Sequence, residues 1–203
     1  MTSIETITLD VADPEAAAHF YATAFGLGTQ LRFRAAQDPS TGFRGYTLSL
    51  TVAQPADADA YLDAAVAAGA TVVKPATKSL WGYGGVVQAP AGAIWKVATS
   101  SKKNTGPAVK RLLLLGVANI GASKRFYVDR GLPVAKSFGP MYVEFDAGSS
   151  PIELALYKRR ALAKDAGVPA EGTGSHRLVI GGAAAFTDPD GFAWESATQP
   201  ATR

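Results

Sequence analysis

The order of apolar and polar positions divides the chain into units of one strand, one helix and further strands. Residues 4–9 alternate and are rich in β-branched side chains (Ile4, Thr6, Ile7, Thr8), which predicts a strand. Asp13 and Pro14 then supply an N-cap and a first helical residue. Ala17, Phe20, Tyr21 and Ala24 recur at helical spacing until Gly26, placed as a C′ glycine. A second strand is expected near 30–34. The next unit opens with an alternating strand at 46–52. Pro55 starts a helix with Ala58, Tyr61, Leu62, Ala65 and Val66 on one face, and Gly69 ends it. Strands follow at 71–74, 85–88 and 93–99. A third unit predicts a strand at 112–117, a helix at 121–130, strands at 134–138, 141–145 and 152–157, and a short basic helix at 158–166. A strand at 176–180 opens a fourth unit, which has no room for a helix before 186–187 and 192–197. The first unit, conversely, is short of two strands.

The second half repeats the first. Val11-Ala12-Asp13 matches Val117-Ala118-Asn119, Phe20-Tyr21 matches Phe126-Tyr127, and Gly26-Leu27 matches Gly131-Leu132. The block 89–96, ending Ile94-Trp95-Lys96, matches 188–195, which runs Asp188-Pro189-Asp190-Gly191 and ends Ala193-Trp194-Glu195. The polar, Gly/Pro-tipped stretch between the halves reads as a linker, giving domains at 1–100 and 109–203 joined by 101–108.

Composition removes several function classes. Of 203 residues, 47% are hydrophobic and 18% charged, a globular balance rather than a disordered one. The net charge of +3 is too small to imply a nucleic-acid surface. Cysteine is absent, which excludes disulfides, thiol catalysis and iron–sulfur sites, and two His cap any imidazole site. Apolar runs such as 112–115 are far short of the ~18 residues a membrane span needs. The expectation from composition is a cytoplasmic protein with no nucleic-acid or membrane partner.

Asp13-Pro14-Glu15, Phe20-Tyr21 and Phe25-Gly26-Leu27 early, with Asp188-Pro189-Asp190-Gly191 and Trp194-Glu195 late, resemble the vicinal-oxygen-chelate superfamily. That is the glyoxalase, bleomycin-resistance and extradiol-dioxygenase group. The resemblance covers essentially the whole chain and implies an α+β fold, a small-molecule ligand or substrate as partner, and pairing into a homodimer. Its βαβββ modules form curled mixed or antiparallel sheets around an open cleft, with helices on the outer side. It also implies, in metal-using members, ligands on the first and last strands of each module. In the N-terminal half those positions fall on Thr6, Thr47 and Lys96, so no metal is expected there. In the C-terminal half they fall on Leu112, which cannot ligate, and on Glu153, His176 and Glu195. One imidazole and two carboxylates with an open position suit a divalent ion such as Fe, Mn, Ni, Co or Zn. Glu153 also reads as the solvent-facing member of an alternating strand, and His176 as a hydrogen-bonded strand-start residue.

Other residues point to a ligand cleft. Trp81 and Tyr83 flank a glycine-rich loop, and Phe33, Tyr46 and Tyr142 lie on expected strands. Aromatic rings there stack on planar ligands or simply pack. Trp95 and Trp194 are expected under the helices, facing away from Lys96 and Glu195. Two readings follow. One is a metal-free binder of an aromatic or polar metabolite or drug. The other is a metal-dependent glyoxalase-like lyase, isomerase or dioxygenase using Glu153, His176 and Glu195. A metal-free catalyst with Lys96 or Glu195 as acid or base, and an assembly protein, are further alternatives.

Overall fold

A computed structural model describes residues 3–80, 82–100 and 109–197. The first unit is β1 (Ile4–Val11), α1 (Pro14–Phe25), β2 (Leu31–Ala35) and the short β3 (Ser40–Gly42). The second is β4 (Tyr46–Thr51), α2 (Pro55–Ala67), β5 (Thr71–Ser79), β6 (Gly82–Gln88) and β7 (Ile94–Thr99). The third is β8 (Lys110–Val117), α3 (Ile120–Val128), β9 (Val134–Phe138), β10 (Tyr142–Phe145) and β11 (Glu153–Lys158), followed by α4 (Arg159–Ala166) and β12 (Gly172–Gly174). The fourth is β13 (Leu178–Gly182), β14 (Phe186–Thr187) and β15 (Ala193–Ser196), with no helix. The expected linker, 101–108, lies outside the described residues.

Local chemistry sets the helix ends. The Asp13 carboxylate accepts from the backbone N–H groups of Glu15 and Ala16, both at 3.0 Å, and Gly26 closes α1 in the left-handed region at φ 58°. Asn119 repeats the N-cap at α3, accepting from Ala122 N–H at 3.1 Å. No described helix is long and apolar enough to cross a membrane.

The sheets are built across the repeat. Eight strands form a large sheet in the order β5-β6-β7-β4-β8-β11-β10-β9, and five form a small one in the order β14-β15-β13-β1-β2. The large sheet therefore joins the second unit to the third, through the antiparallel pair β4–β8. The small sheet joins the first to the fourth, through β1–β13. Alternate side chains of both sheets enter one core, among them Ile7, Leu9, Leu48, Leu113, Leu154, Ile180 and Trp194, which also takes Phe20, Tyr21, Leu62 and Tyr127 from the helices. We call the other side of the large sheet its outer face.

Two matched brackets tie helices to strands. Trp95 donates its indole N–H to the Tyr21 hydroxyl at 3.3 Å, and Trp194 to the Tyr127 hydroxyl at 3.4 Å. This is the packing role the repeat implied. Only the second bracket continues. Tyr127 donates to the Asp188 carboxylate at 2.6 Å, which also accepts the backbone N–H groups of Asp190 (2.9 Å) and Phe192 (2.8 Å). Burial raises the Asp188 carboxyl above its ordinary value despite those donors. Asp190 in turn accepts from Ala118 N–H and the Ser123 hydroxyl, both at 2.7 Å, fastening the turn to the start of α3.

Replacing Asp188 by Ala strands three buried donors, at a cost of about 2–4 kcal/mol. At ~2–4 °C per kcal/mol for a chain of this size, the melting temperature should fall by roughly 5–15 °C. Asp188→Asn, which keeps an acceptor, should lose less. Equal losses in calorimetry would show that the hydrogen bonds are not what Asp188 contributes.

Candidate functional site

Strand pairing draws one row across the outer face of the large sheet. Lys96 on β7 pairs with Ser49 on β4, Ser49 with Leu112 on β8, and Leu112 with Glu153 on β11. Their neighbours Trp95, Leu48, Leu113 and Leu154 point into the core, so the row itself faces outward. Helix α4 lies on this face, seating Leu162, Ala163 and Ala166 in a cluster with Val86, Ile94, Leu114 and Tyr157.

Toward the β5 edge the face is hollow. A groove of about 270 Å³ is bounded by Lys74, Thr77, Gly82, Gly84, Ala98, Lys96 and Asp165. Gly82, Gly84 and Ala98 leave the room that larger side chains would fill. The β5–β6 register shifts twice, between Val72 and Lys74 and again before Thr77, so the edge strand bends away from a regular ladder there. Lys96 Nζ contacts both Asp165 carboxylate oxygens, at 3.0 and 2.7 Å. Lys74 Nζ donates to the carbonyls of Lys164 (2.9 Å) and Asp165 (2.5 Å).

Toward the β9 edge the same face carries a charge network. Lys110 on β8 bridges Glu153 on β11 and Glu144 on β10, the latter at 3.3 Å, and Lys136 on β9 reaches Glu144 at 3.3 Å. Tyr142 donates to Glu144 at 2.7 Å. Burial alone would raise the Glu144 carboxyl, but the Tyr142 bond and the two ammonium groups outweigh it and hold it below its usual value. Burial and the adjacent carboxylate push the Tyr142 phenol up.

These residues do not fit a divalent cation. Lys96 is itself a cation, Leu112 has no donor atom, the Ser49 hydroxyl is given to the Lys96 carbonyl at 3.2 Å, and Glu153 is ion-paired to Lys110. Among the described residues no group of three or more His, Asp or Glu side chains could hold a metal ion.

The triad expected in the C-terminal half is not assembled. Glu153 lies on the large sheet and Glu195 on the small one. The row through Glu195 runs to Gly181 and Thr6, so a glycine stands where the histidine was expected. His176 precedes β13. Its ring stacks on Phe192 at 3.9 Å, with Nδ1 2.5 Å from the Arg44 carbonyl and Nε2 3.1 Å from that of Asp190. It is a structural bridge. Glu195 pairs with Arg34 at 3.2 Å, which also holds Asp10 at 2.8 Å. The second-unit position expected at Thr47 belongs to Ser49, two residues along the same face.

Of the expected cleft aromatics among the described residues, only Tyr142 lies on the outer face. Phe33 stacks on Tyr21 in the core at 5.2 Å, and Tyr46 is fully buried there. Tyr83 borders the groove but sends its phenol to Asp59 of α2, at 2.5 Å, on the helix side. Trp81 lies outside the described residues. Lys96 and Glu153 were found by sequence; Ser49, Lys74, Lys110, Glu144 and Asp165 were not.

Residues 6–98 match the family model of a glyoxalase-like domain. Glyoxalase I from Zea mays shares the architecture at TM-score 0.64 and 12% identity, over 96% of this chain and 91% of that one. A putative dioxygenase from Bacillus subtilis does so at TM-score 0.56 and 15% identity, over 88% and 69%. No curated protein sequence matches the chain. Residues 6–98 are thus similar to a glyoxalase-like domain, and the chain shares the fold of these two structures.

Proposed function

We propose that the chain binds a small molecule on the outer face of the large sheet without a resident metal. The observation that carries this reading is the row Lys96–Ser49–Leu112–Glu153. It offers an ammonium, a hydroxyl, an apolar surface and a carboxylate held by Lys110. That set can orient a ligand but cannot surround an ion. The groove beside Lys96 is somewhat smaller than the ~300–1,000 Å³ usual for drug-sized ligands, which favours a metabolite or a fragment-sized aromatic. The work assigned to the protein is therefore recognition or sequestration. The metal-dependent alternative loses its ligand set, because Glu153, His176 and Glu195 do not share a site.

Protein purified without chelator and incubated with Mn, Fe, Co, Ni and Zn should retain well under one equivalent by elemental analysis. Near-stoichiometric metal that disappears in Glu153→Gln would overturn the metal-free reading.

Calorimetry against a broad panel of aromatic and polar small molecules should yield a ligand, and Ala98→Trp, which fills the groove, should weaken it more than tenfold without lowering the melting temperature. Absence of any ligand for the folded protein would sink the binding reading.

The charge network makes a pH prediction. A carboxyl held below its usual value stabilises the fold fully above that value, ~4.3, and the contribution is lost as pH falls through the folded value. Glu144→Gln should therefore be less stable than the parent from about pH 5 upward, with the gap closing below about pH 4. A gap that persists unchanged at low pH would rule out the ionised carboxylate as its source.

A further inference from the structure

We propose that the groove is a receptor for small organic carboxylates, and that the Asp165 side chain occupies the ligand's place on Lys96. This rests on the binding reading above and names its ligand class.

The argument begins with convergence. Lys74 on β5 and Lys96 on β7 are separated by β6, and both face Val86 in the pairing. Adjacent strands lie ~4.8 Å apart, so these two backbones are roughly 10 Å from one another. Yet both ammonium groups reach the same residue, Lys74 its carbonyl and Lys96 its carboxylate. Two cations thus converge on one residue, Lys74 on its backbone and Lys96 on its side chain, and the oxygens that hold them belong to the protein.

The site also has room beside it. Gly82, Gly84 and Ala98 make a floor with almost no side chain, and Thr77 and Pro75 rise at the rim. A ligand carboxylate seated on Lys96 can lay its carbon skeleton over this floor. Strand bulging at β5 opens the entrance.

The occupant is weakly held. The Lys96 and Asp165 side chains are 36% and 38% exposed, the range in which an ion pair is worth little. Asp165 sits in the last turn of α4, which ends at Gly167 in the left-handed region, φ 82°. Swinging the Asp165 side chain aside disturbs none of the apolar contacts of Leu162, Ala163 and Ala166. Exchange of one carboxylate for another also leaves the charge of the site unchanged.

The test is titration of the full chain with acetate, pyruvate, malonate and benzoate, each beside its uncharged amide, followed by amide chemical shifts in two-dimensional NMR. The carboxylates should shift Gly82, Gly84 and Lys96, and the amides should bind more weakly. Asp165→Asn removes the competitor and should tighten carboxylate binding by up to about fivefold, while Lys96→Gln should abolish the preference for the acid. Melting curves confirm that each variant is folded.

Acids and amides binding alike, or Asp165→Asn binding no more tightly, would overturn the carboxylate proposal and leave the binding reading standing. Lysines that serve only to cap α4 would give that result. No binding of either set, together with no ligand in the broad panel, would remove both.

Discussion

Thr47, Ser49 and Thr51 on β4 lie opposite Leu114, Leu112 and Lys110 on β8, and the rest of the site depends on this register. It welds the second unit to the third, so β7 and β11 flank the seam as outer partners. Lys96 and Glu153 come from different halves of the chain, yet they share one row. A slip of one residue at this seam would reverse one side relative to the other, turning Glu153 into the core and Leu154 out while Lys96 kept its place, and the row would be broken. Burial of Leu48, Leu50, Leu113 and Leu115 on the core side forbids that slip. The hydrophobic effect thus fixes the polar chemistry on the outer face indirectly.

Local features were legible in the sequence. Asp13 and Gly26 act where their side-chain chemistry and backbone freedom said they would, Asn119 caps α3 as its repeat match Asp13 caps α1, and the matched Trp95 and Trp194 do pack beneath helices. Pairing partners were not legible. The sequence leaves open whether the second and third units form one cleft or the halves form two; grouping Glu153, His176 and Glu195 assumes the latter, because nothing within a half reveals that its first strand pairs across the repeat. Face assignment failed for a related reason. Along β4 the residues Tyr46 through Leu50 are all buried, so burial there has no alternation to follow. Of the two roles open to Tyr46 and Phe33, cleft lining and packing, the core takes both residues for packing.

Helix α4 explains why the outer face is neither open nor filled. Its apolar residues cover Leu114, Ile94 and Val86, which otherwise would expose an apolar patch. The cover stops at Asp165, and the polar groove begins there. The signal for this was present in the sequence as a short basic helix, but its docking surface depends on the large sheet being complete, a long-range property.

The small sheet shows what happens when such a row loses its chemistry. Thr6, Gly181 and Glu195 lie in register, but the centre is a glycine and Glu195 is neutralised by Arg34. The fourth unit has no helix, and its core-facing residues Leu178, Ile180 and Trp194 serve the common core. This sheet buries apolar surface and anchors the Asp188 turn. The large sheet can then carry exposed lysines and carboxylates that contribute little to stability. In its central row Lys96 supplies a cation fixed to the chain, paired to Asp165 at one end, and Glu153 supplies a carboxylate paired to Lys110 at the other.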